Sequence, residues 1–167
     1  MFGKLFQKLS GNNEEKGMPL YAPMKGTVIP LSQVSDPTFA EGILGQGVAV
    51  EPAEGKVYAP ADGEVLMMFE TGHAVNIQTT SGAELLVHVG IDTVNLKGKH
   101  FTAHCKSGDQ VKQGDLLIEF DKDAIKAEGY QVVTPVIVCN PDDYAKVEPT
   151  KDTETDPSKV VLTLHKK

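Results

Sequence analysis

No apolar run in these 167 residues approaches the ~20 needed to cross a bilayer as a helix. Cysteine is scarce. Cys105 and Cys139 are the two present, too few for a disulfide framework and without the CxxC spacing of a metal knuckle, so a reducing cytoplasm is the expected location. Basic residues are outnumbered, 16 Lys and Arg against 23 Asp and Glu. The formal charge of −7 argues against a nucleic-acid partner, which needs a basic patch, and suits docking onto basic proteins. The N-terminus has no apolar stretch and no small-residue cleavage site of the secretory kind. A GxxxxGK[ST] loop and the kinase signatures are absent, so ATP is not expected as a bound phosphoryl donor. Long crossover helices are missing too, which argues against a parallel βαβ architecture.

What is present reads as one soluble domain. Hydrophobic residues make up 40% of the chain and charged residues 23%, the proportions of a globular protein with its own core. Residues 1–9 place Phe2, Leu5, Phe6 and Leu9 on one helical face, with Lys4, Gln7 and Lys8 opposite. This short basic amphipathic pattern reads equally as a weak membrane-surface anchor or as an unstructured start, because under three turns are marginal in water. Residues 1–17 are therefore taken as a flexible segment with a polar linker, and 18–167 as a single domain whose motifs fall at about 37–141.

From Leu20 onward, short apolar runs alternate with Gly, Pro and Asp signals, at 26–30, 47–51, 56–60, 63–69, 73–78, 85–91, 115–120, 134–139 and 160–164. Many short strands at even spacing predict an all-β fold, a compact antiparallel β-sandwich or barrel. Pro30, Pro60 and Pro135 sit at run edges, where a missing donor is tolerated. Helical segments should be few and short, at 122–128, 31–35 and 100–106. A faint echo links Ala22-Pro-Met-Lys-Gly-Thr-Val28 with Ala59-Pro-Ala-Asp-Gly-Glu-Val65, a spacing also found in biotinyl and lipoyl carrier domains. Lys25 lacks the hairpin tip that a carrier lysine needs, and reads as a solvated turn residue.

The run Leu85–Ile91 contains one ionisable side chain, His88. Alternation along a strand puts Leu86, His88 and Gly90 on one face and Val87, Val89 and Ile91 on the other. Alone, such a histidine reads as a core residue bonded to a backbone carbonyl. His73 alters that reading. It opens the run 73–78, and Thr79-Thr-Ser-Gly82 has the composition of a hairpin turn, so the two strands should pair antiparallel. A turn centred near 80–81 sets His73 opposite His88, about 5 Å apart at Cβ. Both imidazoles cannot be comfortably protonated at that separation, so at least one should be neutral near pH 7 and able to act as nucleophile or ligand.

Three chemistries use such a pair. Metal-assisted hydrolysis needs a third protein ligand, from Asp92, Glu70, or the pair His100 and His104, whose i, i+4 spacing would align them on a helix. Acid–base catalysis on a small molecule needs a closed pocket of convergent polar groups, which the sequence does not obviously supply. Covalent phosphoryl carriage needs one imidazole to take the group while the other, with Thr71, hydrogen-bonds its oxygens.

The stretch Gly82-x-x-Leu-Leu-Val-His88-Val-Gly-Ile-x-Thr-Val94 resembles the signature of the glucose-family enzyme IIA components of the bacterial phosphoenolpyruvate-dependent sugar phosphotransferase system. The resemblance continues through Asp36-x-x-Phe-Ala-Glu-x-Ile43, Tyr58-Ala-Pro-x-Asp-Gly63, Phe69-Glu-Thr-x-His73, Gly108-Asp-x-Val-x-x-Gly-Asp115 and Thr134-Pro-Val136. It implies an antiparallel β-sandwich in which His88 accepts a phosphoryl group from the phosphocarrier protein HPr and passes it to a cysteine of a permease IIB domain. It also implies that His73 stabilises the phosphorylated state and that Thr71 orients His73.

By position in the family motifs, Phe39, Ile43, Leu44, Phe69, Leu86 and Val94 would form an apolar docking face, with Asp36 and Asp92 at its rim. Gly90 would give clearance beside His88, and its carbonyl could set the imidazole tautomer. The family pattern requires no cofactor. Some relatives bind zinc between the two site histidines and a partner's carboxylate, which makes His73 and His88 candidate zinc ligands here. His100 and His104 have no place in the pattern. The same unphosphorylated face could instead serve a regulatory module that binds other permeases or enzymes. The chain is expected to be a stand-alone component, cytoplasmic or peripheral at the inner membrane face. The sugar is chosen by the permease and is not readable here.

Overall fold

The computed structural model describes residues 17–167. The amphipathic pattern at 1–9 and the linker up to residue 16 lie outside the described residues. Runs of Val, Ile and Leu set between turn residues become short strands, as their β-branched content and punctuation require. In chain order these are β1 (Met18–Tyr21), β2 (Gly26–Pro30), β3 (Gln46–Pro52), β4 (Lys56–Tyr58), β5 (Gly63–Met68), β6 (Ala74–Thr79) and β7 (Glu84–His88). The rest are β8 (Phe101–Ala103), β9 (Gln110–Val111), β10 (Leu116–Phe120), β11 (Thr134–Val138), β12 (Tyr144–Pro149), β13 (Glu154–Thr155) and β14 (Val160–Lys166). Among the described residues two short α-helices join them, α1 (Pro37–Ala40) and α2 (Lys122–Ala127).

Among the described residues the strands form an eight-stranded sheet, ordered β13-β2-β3-β11-β7-β6-β5-β9, and two three-stranded sheets, β1-β14-β12 and β4-β10-β8. The pairings are antiparallel. The main core draws on all three sheets: Leu20, Leu162 and Leu164 come from one small sheet, Val57, Leu117 and Ile118 from the other, and Val50, Val75, Ile77, Leu85, Val87 and Val136 from the large sheet. A second cluster lies on the other face of the large sheet. There Ala49, Ala74, Leu86 and Ile137 are covered by Leu31, Val34 and Phe39. Each large apolar side chain so buried contributes about 1.5–3 kcal/mol. The large sheet is thus sandwiched in its middle, and its second face is the one that carries His88.

The expected sandwich is present, and several local expectations need correction. Residues 100–106 are not helical: Phe101–Ala103 is a strand, and His100 has a φ of +76° just before it. The segment 31–35 shortens to a 3-10 turn at Leu31–Gln33. The run at 85–91 leaves the sheet after His88, and Gly90 turns with a φ of +79°. Alternation therefore stops there, and Ile91 joins Leu86 in the second cluster instead of Val87 and Val89 in the main core. The strands β1, β8, β9, β12 and β13 carry too few apolar residues in alternation to announce themselves. Pro135 lies inside a strand paired on both sides, yet the ladder from β11 to β7 begins only at Val136–Val87. The missing donor of Pro135 therefore falls level with His88, where β7 ends anyway.

Candidate functional site

β7 holds His88 at its last position, half-buried, with Leu86 beside it on the same face. Across the ladder, Ala74 and not His73 is the direct partner of His88. The residue sum is 162, one more than expected, and His73 lies just outside β6 with its carbonyl accepting from the Val89 amide at 2.7 Å. In a regular strand that register would turn the His73 side chain away from His88. His73 escapes because Gly72 precedes it in a turn with a φ of +71°, so the chain reaches His73 outside strand geometry. The two imidazoles meet edge to face, ring centroids 4.8 Å apart and planes at 84°.

Two phenyl rings flank the pair. Phe39 stands 5.0 Å from the His88 ring, and Phe69 stands 5.4 Å from that of His73. Phe39 arrives there on α1, whose N-terminus is capped by the Asp36 carboxylate accepting from the Thr38 amide at 2.9 Å, with Pro37 at the first helical position. That is a locally encoded helix start. Asp36, expected only as a rim charge, is therefore also the residue that aims Phe39.

Each imidazole has one nitrogen engaged. His88 Nδ1 lies 2.8 Å from the Gly90 carbonyl oxygen. A carbonyl can only accept, so Nδ1 of the neutral ring has the proton and Nε2 retains the lone pair. His73 Nδ1 is hydrogen-bonded to the Thr71 hydroxyl. Burial is the main reason the His73 pKa falls to about 4, with the neighbouring His88 as a further cause. The His88 pKa is lowered as well, again by burial first. The Gly90 carbonyl, the backbone of His88 itself, and the charges of Asp36 and Asp92 oppose that shift without overcoming it. Both rings are therefore neutral at pH 7. His73 is 3% exposed and His88 the more open of the two.

The expected apolar apron divides in two. Phe39 and Leu86 are buried members of the second cluster, and Phe69 packs against it. Ile43, Leu44 and Val94 are exposed, at 69%, 37% and 50%. Asp92 is exposed, in a left-handed conformation that Asp tolerates. His100 and His104 do not face each other. Their Nε2 atoms meet Glu128 and Glu119, respectively. Among the described residues no three His, Cys, Asp or Glu side chains gather as a metal site. The two Nε2 atoms of His73 and His88 would supply two zinc ligands, and the others would have to come from a partner. A cleft of about 520 Å³ lined by Ile29, Leu31, Gly47 and Pro149 includes neither site histidine, so it offers no enclosed pocket for acid–base work on a small molecule at this pair. Sequence reading missed Thr93. It is fully buried, and its hydroxyl donates to the Val89 carbonyl. The one signal was a threonine four residues after Val89, the last valine of the run 85–91.

The antiparallel sandwich thus presents a neutral imidazole whose tautomer is set by the Gly90 carbonyl, a group able to act as a nucleophile. Comparison with known proteins names the class. Residues 18–144 match the family model of the phosphoenolpyruvate-dependent sugar phosphotransferase system, EIIA 1. The glucose-specific EIIA component of Halalkalibacterium halodurans is 46% identical over 159 residues, covering 93% of this chain and 92% of that protein. The beta-glucoside-specific EIIBCA component of Dickeya chrysanthemi is 50% identical over 137 residues, and the match spans 82% of this chain but 22% of that longer protein. The solved glucose permease IIA from Mycoplasma capricolum superposes with a TM-score of 0.82 at 35% identity, covering 88% of this chain and 95% of that one. The chain belongs to the EIIA 1 family and is a phosphoryl carrier of the sugar phosphotransferase system.

Proposed function

We propose that His88 is the phosphoryl acceptor, that HPr is the donor, and that a cysteine of a permease IIB domain is the recipient. The observation that carries this reading is the hydrogen bond of His88 Nδ1 to the Gly90 carbonyl, which leaves Nε2 as the nucleophile in a neutral ring. The Nε2 lone pair attacks phosphorus, the bond from phosphorus to the donor breaks, and its electron pair returns to the donor. The product carries the phosphoryl group on Nε2, beside the His73 ring. In this reading the Thr71 hydroxyl donates to His73 Nδ1 in the phosphorylated state, and His73 Nε2 offers its proton to a phosphoryl oxygen. Onward transfer to the IIB thiolate reverses the bond changes.

Ile43, Leu44 and Val94 form the exposed apolar part of the docking face, and burying them on association excludes water from the transfer. Asp36 and Asp92 steer basic partners. Were zinc held here, His88 and His73 would be its ligands, His73 through an Nε2 whose proton had moved to Nδ1 and was donated to the Thr71 hydroxyl, and a partner's carboxylate would complete the set. The protein works in the cytoplasm, and residues 1–9 raise its residence at an anionic membrane surface. The three exposed apolar side chains would also serve a second role, in which the unphosphorylated face binds and inhibits other permeases or enzymes. Pull-downs with phosphorylated and unphosphorylated protein separate the two roles.

Incubation with phosphoenolpyruvate, enzyme I and HPr should give an acid-labile, base-stable phosphoprotein. A His88→Gln variant that labelled as well as wild type would end the assignment.

A further inference from the structure

What holds the Gly90 carbonyl decides which nitrogen of His88 is nucleophilic. The turn after β7 is tied down amide by amide: Val89 N–H donates to the His73 carbonyl at 2.7 Å, Gly90 N–H to that of Val133 at 3.0 Å, and Ile91 N–H to that of Gln131 at 3.2 Å. The carbonyls are held differently. The Gly90 carbonyl receives the His88 ring, and the Val89 carbonyl receives the hydroxyl of Thr93. Thr93 is 0% exposed. Its methyl also packs on the turn, since a Cβ at Gly90 would come within 2.5 Å of Thr93 Cγ2 and 2.6 Å of the Gln131 carbonyl oxygen.

We propose that Thr93 is a positioning residue for His88: its hydroxyl, by holding the Val89 carbonyl, sets the turn whose Gly90 carbonyl fixes the His88 tautomer. The two carbonyls belong to consecutive residues. A buried carbonyl without its donor rotates its peptide plane to find another, because leaving it unpaired is costly. The Val89–Gly90 peptide is then held on one side only, by the Gly90 N–H bond to the Val133 carbonyl, and pivoting about that bond changes the φ of Gly90 and swings the next carbonyl off His88 Nδ1. A freed imidazole then populates the other tautomer, in which Nε2 has the proton and no lone pair. Such molecules cannot attack phosphorus, so the competent fraction falls. The consequence for transfer rests on the reading of His88 as acceptor, whereas the effect on the tautomer does not.

The test uses the folded, unphosphorylated full chain with 15N-labelled histidine at pH 7.5. Wild type should show His88 protonated at Nδ1. Thr93→Val, which keeps the methyl and removes the hydroxyl, should shift part of the His88 population to the Nε2–H form. It should also slow phosphoryl acceptance from phospho-HPr about tenfold, with KM for HPr within about twofold of wild type. Thr93→Ser, which keeps the hydroxyl, should restore both. A wild-type tautomer in Thr93→Val overturns the proposal, as does a Thr93→Ser variant as altered as Thr93→Val, since packing alone would then be the cause. Should Thr93→Val fail to fold, Thr93→Ser decides: a wild-type tautomer supports the proposal and a shifted one overturns it. Continued labelling of His88→Gln would remove the acceptor reading, and the tautomer comparison would still decide the role of Thr93.

Discussion

The five histidines fall into two groups that differ in the company they keep. His100, His104 and His165 each meet a carboxylate, from Glu128, Glu119 and Glu148 respectively. His73 and His88 meet each other and two phenyl rings. A carboxylate partner engages an imidazole nitrogen in a hydrogen bond, so that nitrogen is not free to act as a nucleophile. In the surface group the effect is visible on the acids: hydrogen bonds from His100 and His165 hold the Glu128 and Glu148 carboxyls below their usual range. In the site, burial lowers the pKa of both imidazoles and keeps them neutral. One residue type thus does two jobs, and its neighbours choose between them.

The sharpest way to break this comparison is to remove one group at a time. His88→Gln should lower phosphoryl acceptance more than about a thousandfold, whereas a triple variant His100→Gln, His104→Gln, His165→Gln should label at near the wild-type rate. Comparable losses in the two proteins would erase the distinction.

Acid should separate the groups by pH window. The folded pKa of His73, about 4, lies below its ordinary value of about 6.5, so the unfolded chain takes up that proton first. Its contribution to stability is full above about pH 6.5 and is lost as pH falls towards 4, by up to about 3 kcal/mol. The carboxyls of Glu128 and Glu148, also lowered, lose theirs only at more acid pH. Urea titrations between pH 7 and 4.5 should show the first slope, and His73→Gln should remove most of it. The same slope in that variant would show that other groups cause it.

His73→Gln should still accept the phosphoryl group, but onward transfer to a IIB domain should fall about a hundredfold. Rapid-quench transfer from the phosphorylated variant measures this, and equal rates would remove His73 from the mechanism. Thr71→Val acts one step further back, so about tenfold is expected in the same assay. The smallest effect belongs to the surface group. Glu128→Gln should move Tm by less than about 3 °C, because an exposed pair is screened by solvent. A larger shift in thermal melts would mean that the His100 pair does more than decorate the surface.

Much of this was legible locally. The runs at 26–30, 47–51 and 63–69 became β2, β3 and β5 because side-chain alternation and turn residues act within a few positions. The segment 122–128 reads as a helix and forms one at Lys122–Ala127, where the Asp121 carboxylate caps at the Ala124 amide. The shortest strands were not legible. β9 and β13 are two residues long and exist because a neighbouring strand supplies partners, which no local pattern records. His100 and His104 looked helical by spacing and are not, since the segment pairs with β10 and sheet pairing overrides an i, i+4 coincidence.

The sequence by itself determined the chemistry on offer: two histidines near one hairpin, a threonine two residues before one of them, a glycine two residues after the other, and a charge suited to basic partners. Those are properties of residue type and short spacing, and they need no folded chain to be read. The tertiary structure decided how the pair meets. The hairpin register alone would have turned His73 away, and the turn at Gly72 brings it back. It also decided which apolar residues became core, burying Phe39 and Leu86 while leaving Ile43 and Val94 in solvent. Neutrality of the rings is likewise a tertiary property, because it comes from burial by segments distant in sequence. The same holds for the hydrogen bond that Thr93 makes behind them: its acceptor is a backbone carbonyl, which carries no mark in the sequence.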